Sequence, residues 1–227
     1  MAAVQREPLV PGRPMGFTVL RVPFFLEPEY SESEEFEETN RVRLVRKWGG
    51  RAGWKAQKRA HALKERGREV GIKHFDLDRI ASSTVASHRL VQWVTKTLGV
   101  NRAERMYADL NSRHFEAGQK LNDREMLVDV AAAAGADRAE ARRFLDSDDG
   151  LAEIRAANRK LRELGISGIP TLILGGKYQL ASGALGSETL VQAFRQIEEE
   201  GGATGSMFAE ALEIPEQVLE ETIQLAA

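Results

Sequence analysis

The 227 residues carry a formal net charge of −2 and a pI near 6.2, with 42% hydrophobic and 29% charged side chains, so they can bury a globular core and give no global case for nucleic-acid binding. No cysteine is present, which excludes disulfides, thiolate nucleophiles and cysteine-type zinc sites within these residues. No apolar run approaches the ~18 residues of a membrane span, and the start MAAVQREPLVPGRP lacks the apolar stretch of a secretory signal, so the expectation is a soluble, cytoplasmic chain, with organellar targeting by a short transit peptide left open.

Residues 1–16, punctuated by Pro8, Pro11 and Pro14, read as an irregular leader. Phe17–Phe25 (FTVLRVPFF) is rich in β-branched and aromatic residues and predicts a strand, which Pro23 either ends or places at a sheet edge. Leu26-Glu27-Pro28 closes it. An acidic run over residues 27–38 precedes a basic run from Arg41 to Arg68, which reads as helical with a break at Gly49-Gly50. The basic run is open to two readings. One is a patch for nucleic acid or an acidic partner. The other is a solvated helix face balanced by the neighbouring acidic run. The acidic pI favours the second, so nucleic acid is not an expected partner.

Val70–Asp78 is an extended connector. Ser82 or Ser83 caps a helix running to Leu98, with Gly99 as its stop and Val85, Leu90, Val91, Val94 and Leu98 roughly on one face. Asn101 begins the next helix, with Met106, Leu110 and His114-Phe115 on its apolar side, ending near Gly118. Asn122 caps another helix, carrying Met126, Leu127, Val130 and Ala131 and stopped by Gly135. Asp137 caps a short helix through Leu145, and Leu151–Leu164 is the last before a glycine-rich stretch.

That stretch, Gly165 to Gly183, reads GISGIPTLILGGKYQLASG. Two short runs, Thr171–Leu174 and Tyr178–Leu180, joined by Gly175-Gly176-Lys177, predict a β-hairpin, because glycine supplies the positive φ of tight turns. Pro170 stands just before the first run, where a residue without an amide donor is tolerated. X-Pro is also the bond at which a cis peptide is cheap. Ser187 caps a helix reaching Glu199, with Leu190, Val191, Phe194 and Ile197 inward. Residues 201–206 form a flexible linker. Residues 207–227 form an acidic amphipathic tail whose apolar residues are Phe208, Leu212, Val218, Leu219, Ile223 and Leu225. The tail either docks on the domain or binds a partner, docking being the simpler reading.

Other chemistry finds little support. His61, His74, His88 and His114 share no metal-ligand spacing. Asp146-Ser147-Asp148-Asp149-Gly150 lacks the length and terminal glutamate of a calcium loop and reads as a turn with a helix cap. Gly175-Gly176-Lys177 is not a phosphate loop, since its glycines serve the hairpin.

The run Gly165-x-x-Gly168-Ile169-Pro170, followed by Ser182-Gly183-Ala184, resembles the end of the DsbA-like thioredoxin-fold family, in its FrnE-like, polyketide-biosynthesis-type branch. Pro23-Phe24-x-Leu26-x-Pro28 resembles the end of the family's second strand, and Ser83-Thr84 with Ser87-His88 is a partial match to its helical region. The resemblance spans roughly Phe17 to Glu199. It implies an α/β, thioredoxin-like fold with a large helical insertion over about residues 39–164. It also implies a cis Ile169-Pro170 bond facing a redox site, and membership among protein disulfide oxidoreductases and isomerases.

Nothing before Phe17 matches the family's first strand and first helix, which carry its Cys-x-x-Cys or serine motif. With that strand absent, three arrangements are open: Phe17–Phe25 pairs with Thr171–Leu174, the leader fills the gap, or the sequence begins downstream of the true start. The isolated chain is expected to be of low stability. Ser82, Ser83 and Ser87 are not equivalents of the family's serine. No residue is assigned a catalytic or metal-binding role. The expected site is Gly168, Ile169 and Pro170, where a peptide, or glutathione as the one candidate cofactor, docks on exposed backbone.

Overall fold

The computed structural model describes residues 1–176, 178–202 and 205–224, and for His61 the backbone alone. Lys177 of the expected turn, Ala203-Thr204 of the linker, Leu225 of the tail and the His61 side chain lie outside the described residues. In chain order the elements are α1 (Ala2–Arg6), β1 (Glu38–Thr39), α2 (Asn40–Lys47), α3 (Arg51–His61), α4 (Leu63–Glu69), β2 (Ile80–Ala81), α5 (Val85–Leu98) and α6 (Val100–Phe115). There follow α7 (Arg124–Ala133), α8 (Arg138–Asp146), α9 (Leu151–Glu163), β3 (Ile173–Leu174), β4 (Tyr178–Gln179), α10 (Ser187–Glu199) and α11 (Glu216–Glu220). Among the described residues no helix is long and apolar enough to cross a membrane. The chain divides into two compact units: Met1–Phe24, Val91–Glu104 and Asp149–Ala227 make one, and Phe25–Leu90 with Arg105–Asp148 make the other.

In the second of these units, β1 and β2 pair antiparallel, Glu38 opposite Ala81 and Thr39 opposite Ile80. Two-residue strands carry no alternation that a sequence pattern can register. Helices α7 and α8 lie against each other, burying Met126, Leu127, Val130 and Ala131 from one and Ala141 and Leu145 from the other. Asp137 caps α8 by accepting from the Glu140 amide at 2.9 Å. The cap of α7 is a correction: Asp123, not Asn122, accepts from the Met126 amide at 3.0 Å. Asn122 is buried, and its Nδ2 donates to the carbonyls of Ser33 (2.9 Å) and Phe36 (3.1 Å). Two adjacent cap-competent residues thus divide the work, one starting the helix and one pinning the acidic stretch.

The basic run forms α2, α3 and α4, with a further break at Ala62, whose φ of 45° is left-handed. The three arginines of its first helix are each paired with a carboxylate. Arg41 pairs with Asp78 at 2.6 Å, Arg43 with Glu27 at 2.7 Å and Arg46 with Glu38 at 2.9 Å. Burial pushes the Glu38 carboxyl up, but hydrogen bonds from Arg46 and the Tyr30 hydroxyl, with the charges of Arg46 and Arg43, hold it below its ordinary range.

In the first unit the leader departs from its expected irregularity. Ala2–Arg6 is a short helix whose Val4 is fully buried with Phe17 and Phe194, and the two phenylalanine rings meet edge-on at 5.0 Å. Five residues cannot hold a helix by propensity alone, so this burial maintains it. Helix α10 spans the expected residues, but Gly186 stands at its cap position without a side-chain bond, correcting the assignment of Ser187.

Phe17–Phe25 takes no place in a sheet, contrary to expectation. Its alternate residues Leu20, Val22 and Phe24 pack on an apolar cluster as a strand face would. Its carbonyls, however, are taken one at a time. The Ile223 amide donates to Phe17 at 2.7 Å, Gln92 Nε2 to Arg21 at 2.6 Å and Asn158 Nδ2 to Pro23 at 3.1 Å. Pro23 itself has no amide to offer.

The same cluster resolves the tail. Phe208, Leu212, Ile214 and Val218 are buried with Val100, Ala157, Leu161 and Ile166. Beyond α11, Glu221 Oε2 accepts from the Val100 amide at 3.0 Å, and Gln224 donates to Asn101 Oδ1 at 2.8 Å. The tail docks. At Gly99 (φ 85°) a β-carbon would lie 2.4 Å from the Glu221 carboxylate, so the helix stop is also what admits the tail.

Candidate functional site

Helix α9 ends as the sequence predicts. Gly165 has a φ of 69°, its amide donates to Arg162 at 3.0 Å, and the amide of buried Ile166 donates to Leu161 at 2.9 Å. This anchors one end of the stretch that follows, in which the Ile169–Pro170 peptide bond is cis. The hairpin then forms with Ile173 opposite Gln179 and Leu174 opposite Tyr178. Gly175 and Gly176 turn it at φ 56° and 71°.

Pairing continues past the two ladder pairs. The Leu180 amide donates to Leu172 and the Gly183 amide to Pro170, each at 2.8 Å. Thr171 Oγ1 donates to the Gly168 carbonyl at 2.8 Å and shares a 2.7 Å bond with Ser182 Oγ. Gly168, Pro170 and Ser182 are thereby held in one rigid turn-and-strand unit.

In an antiparallel pair, alternate residues aim their amide and carbonyl at the partner and the rest aim away. Pro170, Leu172 and Leu174 face the second hairpin strand, so Thr171 and Ile173 face outward. Among the described residues no hydrogen bond reaches the backbone N–H or C=O of Ile169, Thr171 or Ile173. The side chains beside this edge are uncovered: Ile169 is 51% exposed and Leu172 37%. Unbonded backbone donors and acceptors next to exposed apolar side chains are groups that one more strand could pair with. The sequence reading named Gly168, Ile169 and Pro170. It missed Thr171 and Ile173, which the alternation of an assumed hairpin register would have supplied.

The other sequence candidates fall into structural roles. Ser82, Ser83 and Ser87 are buried. Ser82 Oγ accepts from the Leu121 amide at 3.0 Å, Ser83 Oγ from Val85 at 3.4 Å, and Ser87 donates to Thr84 at 3.0 Å. His88 meets Phe25 edge-on at 5.5 Å.

His114 is locked. Its Nε2 accepts from Arg79 Nε at 3.0 Å, and its Nδ1 lies 2.9 Å from the Gln119 carbonyl, which requires the proton on Nδ1. Burial, with the Arg79 charge, pushes its pKa down to about 4. Arg79, stacked over Phe115 at 4.7 Å and Phe75 at 5.5 Å, is lowered to about 10, again by burial first. Between Asp146 and Gly150, Ser147 closes α8 and Gly150 opens α9. Among the described residues no cluster of histidine and carboxylate side chains is arranged to hold a metal ion.

The comparisons give the class of this helix-rich chain with its short hairpin. The chain belongs to the DSBA-like thioredoxin domain family, whose model matches residues 15–195. It is similar to a solved structure described as a probable DsbA oxidoreductase from Streptomyces coelicolor, at 29% identity and a TM-score of 0.65, over 78% of this chain and 74% of that one. A comparison with curated proteins finds no match. The fold is therefore DsbA-like, a helix-rich α/β arrangement with few strands. Membership in this family points to disulfide oxidoreductases, whereas these 227 residues hold no cysteine and so no thiolate to attack a disulfide.

Proposed function

We propose that this DsbA-like domain binds extended polypeptide at the Ile169–Ile173 edge without exchanging disulfides, and that it belongs to the FrnE-like, polyketide-biosynthesis-type branch. The branch rests on Gly165-x-x-Gly168-Ile169-Pro170 and Ser182-Gly183-Ala184. The observation that carries the binding is the outward row of unpartnered backbone groups at Ile169, Thr171 and Ile173, beside exposed Ile169 and Leu172. An added strand takes these groups in its own ladder and seats alternate side chains on the apolar ones. About four such bonds at about 1 kcal/mol each correspond to a dissociation constant of roughly millimolar order. Glutathione offers the same kind of backbone group over a shorter length and is expected to bind more weakly at the same place.

The test is an amide NMR titration of the 227-residue chain with an eight-residue alternating Val-Thr peptide and, separately, with glutathione. Shifts are expected at the amides of Ile169, Thr171 and Ile173. N-methylation of the peptide at alternate residues abolishes binding in one phase of the alternation and spares it in the other. Shifts elsewhere alone, or equal loss in both phases, would remove the edge from consideration. In parallel, the chain is expected not to accelerate reduction of insulin by dithiothreitol. Acceleration would overturn the non-exchanging role.

A further inference from the structure

The ion pairs of the basic run stop at its first helix. In α2, Arg41, Arg43 and Arg46 are each matched by a carboxylate. In α3, Arg51, Lys55, Lys58 and Arg59 are exposed, and none makes an ion pair among the described residues. From Gly50 onward the acidic run supplies no ion pair among the described residues; its Glu27 and Glu38 pair with α2, and its Glu37 and Glu34 with Lys120 and Arg124.

The helix dipole favours Lys58 and Arg59 in the last turn of α3, but it does not account for the whole row of cations. A solvated helix face ordinarily interleaves both signs, yet α3 (RAGWKAQKRAH) contains no aspartate or glutamate. Arg51 stands in the first turn, at the positive end of the helix dipole. Arg51, Lys55 and Arg59 follow one another at i, i+4 and i+8, where like charges destabilise a helix. An external polyanion would offset such a stripe. The acidic pI of the chain does not forbid this, because charges beyond about 8–10 Å are screened at physiological ionic strength.

The aromatic content narrows the class of polyanion. Trp54, half-buried, lies within the stripe, with Lys58 over its ring at 5.5 Å and Arg41 of α2 at 5.8 Å. Trp48, at the break before α3, is 38% exposed. Cations tracking a backbone, with indoles interleaved for bases to stack on, are what single-stranded nucleic acid requires. An acidic peptide offers no bases to stack there, and an anionic bilayer can also take indoles at its interface, so both are set as competitors in the test. We infer that the α3 face is a binding surface for single-stranded nucleic acid. The Ile169–Ile173 edge takes no part in it.

The test is fluorescence anisotropy of a labelled 20-nucleotide oligo-dT with the full chain across 50–200 mM salt. Salt-dependent binding is expected. The variant K55E/K58E/R59E, its fold checked by circular dichroism, lowers affinity at least tenfold at 50 mM salt. Loss of three phosphate contacts reduces the slope of log affinity against log salt by about 2. The variant R105E/R159E/R162E, with the same change in net charge at exposed arginines elsewhere, is expected to leave both unchanged. The inference is overturned by any of three results: no binding at 50 mM salt, equal loss in the two variants, or poly-glutamate or phosphatidylserine vesicles binding at least as tightly as the oligonucleotide.

Discussion

At the residue scale, His114 couples this protein to pH. Its neutral ring gives a proton to the Gln119 carbonyl and receives one from Arg79. A second ring proton would need to occupy Nε2, where Arg79 already donates. Its folded pKa of about 4 lies below the ordinary value of 6.5. Between those values the unfolded chain binds a proton that the folded chain refuses. Stability is therefore full above about 6.5 and falls as the pH drops toward 4, by at most about 1.4 kcal/mol per pH unit from this group. Urea denaturation at pH 7.0 and pH 5.0 should show the loss, and His114→Gln should flatten the dependence. An equally steep dependence in that variant would place the effect elsewhere.

Among single residues, glycine and the caps show how far local chemistry reaches. Gly99, Gly135 and Gly165 stop their helices with positive φ, as a sequence reader expects. The choice between Asn122 and Asp123 depended on Ser33 and Phe36, about ninety residues away in sequence, and no local signal carries that.

At the scale of elements, the tail is the informative case. Its apolar periodicity was visible, but not what it covers. Phe208 is 1% exposed in the cluster with Leu161 and Leu212, and Lys160 lies over its ring at 5.9 Å. Phe208→Ala is expected to cost about 3–5 kcal/mol, read as a drop in the urea midpoint. A loss below about 1 kcal/mol would mean that the tail is an appendage rather than part of the core. Phe17–Phe25 shows the reverse. Its β-rich composition and alternating Leu20, Val22 and Phe24 predict a strand, and the inward face is as predicted. A strand also needs a neighbour, and its carbonyls found side chains and the tail instead. The hairpin was legible because turn and partner are both local. The edge it exposes was legible only in part, since Thr171 and Ile173 are assigned by register.

On the scale of the whole molecule, the absence of cysteine makes a simple demand. No bond within these residues responds to thiol reductants, so thermal melts with and without dithiothreitol should superimpose. A shift in midpoint would reveal a redox-sensitive partner or modification. Composition determined by itself that these residues hold no thiol chemistry. Local pattern determined most helices, their glycine stops and the hairpin after Ile169-Pro170, because period, caps and turns act over a few residues. The DsbA-like fold was implied by the resemblance of Gly165-x-x-Gly168-Ile169-Pro170 and Ser182-Gly183-Ala184 to that family, not by any periodicity. Only the tertiary structure decided that the tail belongs to the core and that the leader carries a helix held by Val4. It also decided that the acidic run pairs with Arg43 and Arg46 of α2 but with no cation of α3, and that the outward edge beside Pro170 stays unpaired. Each of these depends on which distant groups meet, and hydrogen bonds, ion pairs and buried contacts between distant residues leave no period in the chain.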